Sequence, residues 1–254
     1  TESREASANF ILDQLELSII SGSGGSVSGD GSYAYGSSPT ITAIPKDGFS
    51  FVRWEGEGIT DSSKPFTTVE MTKDRSITAF FSEESYRLNL SSGLGGSVQG
   101  EGTFPHGSNA PIVALAFTGF TFSGWTGDGV VDANQSITTA SMTENRALTA
   151  SFTQNIYSLS FASSSGGSLL GEGSFAHGSN AEISTVPNEG YSFNGWMGEG
   201  IDDINSSSTT IVMTSNRTIS ASFVQNEYQL QLSAGRGGSV SGSGNYSHGE
   251  TAQI

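Results

Sequence analysis

Trp54, Trp125 and Trp196 stand 71 residues apart, and the residues around each of them repeat at the same step. Gly24, Gly95, Gly166 and Gly237 open matching Gly-Gly-Ser triplets, and Met71, Met142 and Met213 open matching Met-Thr pairs. No insertion breaks this register. A period of that size is one small domain copied in tandem, so any function belongs either to a single copy or to the string as a whole.

The period divides the chain into whole copies at residues 15–85, 86–156 and 157–227, followed by the start of a fourth at 228–254. Residues 1–14 match the end of a copy. Thr1, Glu2, Arg4, Ala8 and Phe10 align with Thr143, Glu144, Arg146, Ala150 and Phe152, which predicts the last strand of a preceding repeat and a linker. Neither terminal fragment supplies a Trp segment or a strand ending in Met, so the two cannot pool into one domain, and the chain reads as a window on a longer protein.

A domain of about 70 residues buries a modest share of its surface and is marginally stable alone. The chain has no cysteine to supply disulfides or thiolate zinc ligands. Its 25 acidic and 10 basic residues leave a net charge of −15, a surface that repels phosphate backbones and argues against nucleic acid as a partner. No apolar run reaches membrane-spanning length, so no insertion into a bilayer is expected in this segment.

Within the second copy, Tyr86, Leu88 and Leu90 alternate with polar residues, the period of a half-buried strand. Gly95 to Gly102 is too rich in glycine for a helix and suits a tight hairpin. Phe104 leads to a second turn at His106-Gly107. Ile112 and Ala114 resume the alternation, and Phe120, Phe122 and Trp125 follow. The parity change between Phe122 and Trp125, with Gly124 between them, predicts a bulge that turns the indole inward. A polar loop then leads to Thr138, Ala140 and Met142, and a closing strand carries Arg146, Leu148, Ala150 and Phe152. Six short strands and no helix are expected per copy, an all-β fold. Its core is assigned to Trp54, Trp125 and Trp196, Phe51, Phe122 and Phe193, Phe81, Phe152 and Phe223, and Met71, Met142 and Met213.

The combination Phe-x-Gly-Trp, Met-Thr-x-Asn-Arg and Ile/Leu-x-Ala-x-Phe at a period near 70 resembles the divergent internalin-B-type B-repeat domain. The resemblance covers the three whole copies and both partial ones. The first copy departs from it with Val52-Arg53-Trp54 in place of Gly before Trp. It implies a β-grasp-like or small β-sandwich-like module, strung in tandem within large bacterial surface or secreted proteins, often adhesins.

The recurring polar constellation is the loop after each Trp, Gly-Glu/Asp-Gly-x-x-Asp, which carries Glu57 and Asp61, Asp128 and Asp132, Glu199 and Asp203. Calcium takes six to eight oxygens, and a glycine-rich acidic turn supplies carboxylates and carbonyls of that kind. The competing reading is structural and carries more weight: the second acid caps a turn, and the first pairs with the periodic Arg75, Arg146 or Arg217. A third acidic series, Asp30, Glu101 and Glu172, is expected to be solvated. His106, His177 and His248 recur in His-Gly, but Tyr35 fills that slot in the first copy and no second His is near, so they read as turn residues. No Cys, His-supported Ser or distinctive carboxylate pair offers catalysis, the glycine runs lead to no helix that could cradle phosphate, and no cofactor is required. Phe104, Phe175, Tyr33 and Tyr246 are the aromatics expected to be exposed for contact with a ligand such as glycan.

These readings converge on a non-enzymatic extracellular array serving as stalk, tether or filament. Neighbouring repeats are its first partners, and fibres form if copies associate between chains. The alternatives are a multivalent carbohydrate- or surface-binding module and an accessory region of a secreted hydrolase.

Overall fold

A computed structural model describes residues 4–9 and 11–254, and among the described residues there is no helix. Seven strands form each whole copy, one more than the alternation predicts. The first copy runs β1 (Gln14–Ser21), β2 (Gly25–Ser28), β3 (Gly31–Ala34), β4 (Thr40–Pro45), β5 (Phe49–Glu55), β6 (Phe66–Thr68) and β7 (Arg75–Glu83). The second runs β8 (Ser85–Ser92), β9 (Gly96–Gln99), β10 (Gly102–Pro105), β11 (Ser108–Ala116), β12 (Phe120–Thr126), β13 (Ile137–Met142) and β14 (Arg146–Gln154). The third runs β15 (Ile156–Phe161), β16 (Gly167–Leu170), β17 (Gly173–Ala176), β18 (Asn180–Pro187), β19 (Tyr191–Met197), β20 (Ser208–Val212) and β21 (Arg217–Gln225), and the fourth begins with β22 (Glu227–Leu230) and β23 (Gly244–Ser247). Residues 4–9 and 11–13 hold no strand, so the described part of the leading segment lacks the expected closing strand; Thr1, Glu2 and Phe10 lie outside the described residues.

By internal contacts the chain divides into two compact units, Thr1–Ser92 with Val98–Ala114 and Gly124–Ala150, and Gly93–Ser97 with Leu115–Ser123 and Ser151–Ile254. The first unit contains the whole first copy. There the strands form a four-stranded sheet ordered β3-β1-β7-β5 and a three-stranded sheet ordered β2-β4-β6. The second unit contains the third copy, built the same way as β17-β15-β21-β19 and β16-β18-β20. The four-stranded sheet is mixed. Its first and last strands lie side by side and parallel, as Leu17↔Arg75 to Ser21↔Ala79 in the first copy and Leu159↔Arg217 to Phe161↔Ile219 in the third. Such an order belongs to the β-grasp, but a second sheet stands where that fold carries a helix, which makes each copy a small two-layer sandwich.

The core lies between the layers. In the first copy Leu17, Trp54, Ile77 and Ala79 face Ile41, Ala43, Val69 and Met71, and the third copy repeats the set from Leu159 to Ala221. Trp54 is 1% exposed and Met71 fully buried. Phe51, Phe81, Phe193 and Phe223 are half-buried and edge the core, so the phenylalanines assigned to it form its rim. Phe51 and Phe81 meet edge to face with centroids 6.0 Å apart, and Phe193 and Phe223 at 6.1 Å. A bulge sits where the parity changes, between Phe51 and Arg53 and between Phe193 and Gly195. The first copy makes it without glycine before Trp54.

Two expectations need correcting. The glycine-rich stretch is not a hairpin. In the first copy β2 pairs with β4 and β3 with β1, so the chain steps between layers at Gly29; in the third, β16 pairs with β18 and β17 with β15. Glycine is required at the step because φ is +112° at Gly29 and a side chain there would collide with the Thr40 carbonyl. The aromatics expected to be exposed are half-buried, and Tyr33 and Phe175 pack against the cores of their copies.

Each Trp is also a hydrogen-bonding hub. The indole N–H of Trp54 donates to the Lys64 carbonyl (2.9 Å), that of Trp125 to Gln135 (3.1 Å) and that of Trp196 to Ser206 (2.9 Å). Truncation to alanine should cost about 3–5 kcal/mol at Trp54, whereas Trp54→Phe keeps most of the apolar burial and should cost about 1–3 kcal/mol for the unpartnered carbonyl. Urea unfolding of the two variants, read by intrinsic fluorescence and circular dichroism, separates these contributions.

Candidate functional site

Two recurring places bring polar residues together: the loop after Trp and the point where one copy meets the next.

The loop after Trp is closed on itself. Besides the indole bond, the peptide N–H of Trp54, Trp125 and Trp196 donates back to Ser62, Ala133 and Ile204, each at 2.8 Å. The Asp61 carboxylate accepts from the Ser63 amide at 2.9 Å and the Ser63 hydroxyl at 2.6 Å, and Asp132 and Asp203 accept from the amides of Asn134 and Asn205. These are Asx turns. The amides of the same three aspartates donate to the hydroxyls of Thr67, Thr138 and Thr209. At the other end of the loop, Gly58, Gly129 and Gly200 lie flat on the guanidinium groups of Arg75, Arg146 and Arg217, where any side chain would overlap them.

The first acid of each pair behaves differently from copy to copy. Glu57 lies 3.5 Å from Arg75 and closer still to Lys73, whose hydrogen bond and charge hold its pKa below the usual carboxylate range. In the second copy Arg146 pairs instead with Glu144 at 2.9 Å, and in the third Arg217 takes the backbone carbonyl of Glu199. The pairing of the first acid with the periodic Arg therefore holds in the first copy alone. Among the described residues no group of three or more His, Cys, Asp or Glu side chains is placed to share a metal ion. Asp30, Glu101 and Glu172 are exposed, as expected of solvated acids, and the latter two also take part in a hydrogen bond. Glu101 accepts from the Leu90 amide and Glu172 from the Phe161 amide, because the crossing between layers brings them against the start-strand edge.

The joint between copies was not foreseen. One residue separates the last strand of each copy from the first strand of the next: Glu84, Asn155 and Asn226. Its amide donates backwards to Gly48, Gly119 or Gly190 at 2.7–2.8 Å. Its carbonyl accepts from the amide of His106, His177 or His248 in the following copy at 2.8–2.9 Å. The first bond continues the antiparallel ladder of the copy behind, and the second continues that of the copy ahead. The hydrogen-bonded backbone thus runs through the linker without a gap.

Side chains lock the same point. Each His ring lies on the Gly of the preceding copy so closely that a Cβ would overlap the imidazole, and that Gly holds φ between +76° and +84°. A tyrosine flanks the ring, Tyr86–His106 at 5.8 Å, Tyr157–His177 at 5.9 Å and Tyr228–His248 at 6.1 Å between centroids. His106 Nε2 lies 3.3 Å from Asp47, and Gln154 and Gln225 donate to the carbonyls of His177 and His248. The Glu84 carboxylate accepts from the Tyr86 hydroxyl and raises its pKa. The histidines are turn residues, as the sequence predicts, but each turn also seats a neighbour. The signal for this was present: Gly48, Gly119 and Gly190 precede His106, His177 and His248 by 58 residues each time, a pairing across the copy boundary that a search within one copy passes over.

A family model described as the divergent InlB B-repeat domain matches residues 15–85, 86–156, 157–227 and 228–254. A protein of Evansella cellulosilytica named as a Gly-rich membrane protein is 27% identical over 208 residues, covering 80% of this chain. The match covers 24% of that relative's length. Among solved structures, the TIE protein of Bacillus anthracis aligns with a TM-score of 0.37 and 7% identity over 85% of this chain and 51% of its own, a likeness too distant to carry an argument.

Gly119→Ala should spring the joint between the second and third copies. The backbone there is left-handed and the methyl displaces His177, so amide exchange at Asn155 and His177 should accelerate by about tenfold or more while the Trp125 and Trp196 indoles stay protected. The acidic turn has a separate signature. The folded Asp61 carboxyl is held below its ordinary range by the Ser63 hydroxyl and amide, so its contribution to stability is present above that range and is lost as pH falls through the lowered value. Asp61→Asn should flatten that part of the acid-unfolding curve.

Proposed function

We propose that this chain, which belongs to the divergent InlB B-repeat family, is a non-catalytic tether: a run of copies whose joints restrain one against the next and so hold other parts of a bacterial surface protein apart. The observation that carries this reading is the joint itself. A single linker residue with both of its peptide groups hydrogen-bonded, and a histidine seated on a glycine, recur at all three copy boundaries. A binding module needs only flexible spacing, whereas a joint geometry repeated at each boundary serves to restrict rotation.

Several features favour this over the alternatives. The tryptophans that could have stacked on sugar are 1–4% exposed and occupied by their cores. The acidic loops use their second carboxylate to close turns, which favours a structural role for them. The surface location agrees with the family resemblance and with the name of the Evansella relative, and no helix among the described residues is long and apolar enough to cross a membrane.

The test combines mass and motion. Light scattering of the 254-residue chain over a wide concentration range should give a monomer, and nitrogen relaxation should show adjoining copies sharing one tumbling time. Growth into fibres would make self-assembly the function, separate tumbling times would make the chain a loose string, and capture on a glycan array would make it a binding module. Adding millimolar calcium should leave the melting temperature of the chain unchanged; a rise abolished by Asp132→Asn would establish a calcium site.

A further inference from the structure

We infer that each copy is a mechanical clamp, built so that tension applied along the chain is met by shear across the parallel pairing of its first and last strands. The inference deepens the tether reading, which supplies its biological use, but the mechanics follow from topology alone.

The geometry is the same in every whole copy. The chain enters each sandwich at the start of its first strand and leaves at the end of its last, and these two strands are hydrogen-bonded neighbours running parallel: β1 with β7, β8 with β14, β15 with β21. Pulling on the chain draws the entry strand back from its start and the exit strand forward from its end. The two forces are opposed and lie along the strands, so the strands can separate only by sliding, and every bond between them is strained together. An antiparallel pair pulled from one end opens like a zip, one bond at a time. Parallel pairing of the terminal strands excludes that route.

Other contacts sit where sliding would begin. At the entry end, the side chain of the residue before the exit strand accepts an amide from the entry strand: Asp74 from Glu16, Asn145 from Arg87, Asn216 from Ser158, at 2.8–2.9 Å. Midway, hydroxyls join across the pair, Ser91 with Thr149 at 2.7 Å and Ser160 with Thr218 at 3.0 Å. At the far end Gly22 and Ala162 donate to Ala79 and Ile219. The joint completes the arrangement. Its single residue passes force from one clamp into the next with little slack, and both of its peptide groups are already bonded.

The clamps are unequal. Five residue pairs are in register in the first and second copies, Leu17 to Ser21 and Leu88 to Ser92, but three in the third, Leu159 to Phe161. The third copy should therefore yield first under load, which makes an array of these copies a graded chain that lengthens stepwise.

Single-molecule force spectroscopy on the 254-residue chain tests this directly. Held by its ends, the chain should show three unfolding events of the whole copies. Each should release roughly 250 Å of contour less the folded span, as expected for 71 residues at about 3.5 Å each, with the weakest event assigned to the third copy. The chain has no cysteine, so handles can be placed at will. Lys46→Cys with Glu83→Cys attaches them to the turn that leads into β5 and to the end of β7, beside Phe49↔Glu83, the end pair of the antiparallel β5–β7 ladder, so the load peels that ladder from one end. Rupture there should occur at a force several-fold lower than rupture from the chain ends. In the end-held chain, Asn216→Ala should lower the weakest peak further and leave the other two in place. Equal rupture forces in the two directions would overturn the clamp. Fibre growth or glycan capture would overturn the tether reading and leave that ratio of forces as it is, so the two failures are distinguishable.

Discussion

The buried indole is the interaction on which each copy depends. A domain of 71 residues without cysteine, whose described residues form no helix, has to fill the space between two narrow sheets, and Trp54, Trp125 and Trp196 do so while committing both of their N–H groups to the loop that follows. The loop is therefore part of the core's closure. Its aspartates turn it, its threonines accept the amides, and its glycines lie on an arginine. An acidic surface loop in sequence becomes a strap over the open side of a sandwich. Each of these aspartates holds its turn through one carboxylate oxygen, Oδ1.

The copies then follow one another with a single residue between their strands. Because the last strand of one copy and the first strand of the next are one residue apart, the two sheets share a hydrogen-bonded thread at Glu84, Asn155 and Asn226. Glycine on one side and histidine on the other bring the copies into contact there, and the second and third copies each supply both halves, one at each end. Stability in such an array includes a nearest-neighbour contribution as well as that of the single repeat. The same strands that make the joint also form the central parallel pair of the sheet, so the path of the chain through a copy and the path of force along it coincide.

Much of this was legible from the residues. The 71-residue step, the inward turn of Trp at a parity change, the burial of the methionines and the absence of helix all follow from periodicity, because alternation reports which face of a strand is wet. Other features were misread for identifiable reasons. Gly-rich sequence between two strand patterns looks like a hairpin, and only the pairing of β2 with β4 and β3 with β1 reveals a crossing between layers. Glu101 and Glu172 are the surface charges they look like, but the amide that each receives from a strand eleven residues earlier is visible only in the structure. Phe175 and Tyr33 look exposed among glycines, and each packs against the core of its copy.

By itself the sequence determined the repeat, its boundaries, the strand character of each segment and the residues that centre each core, since these depend on local alternation and on copies agreeing with one another. Which strands pair, in which direction, and what touches across a copy boundary were decided by the tertiary structure. The reason is that hydrogen bonds between strands are made by backbone, which every residue carries alike. The histidine shows the difference best. Within its own copy it is a turn residue and nothing more. Its second role exists only because a glycine 58 residues earlier, in the preceding copy, leaves room for its ring.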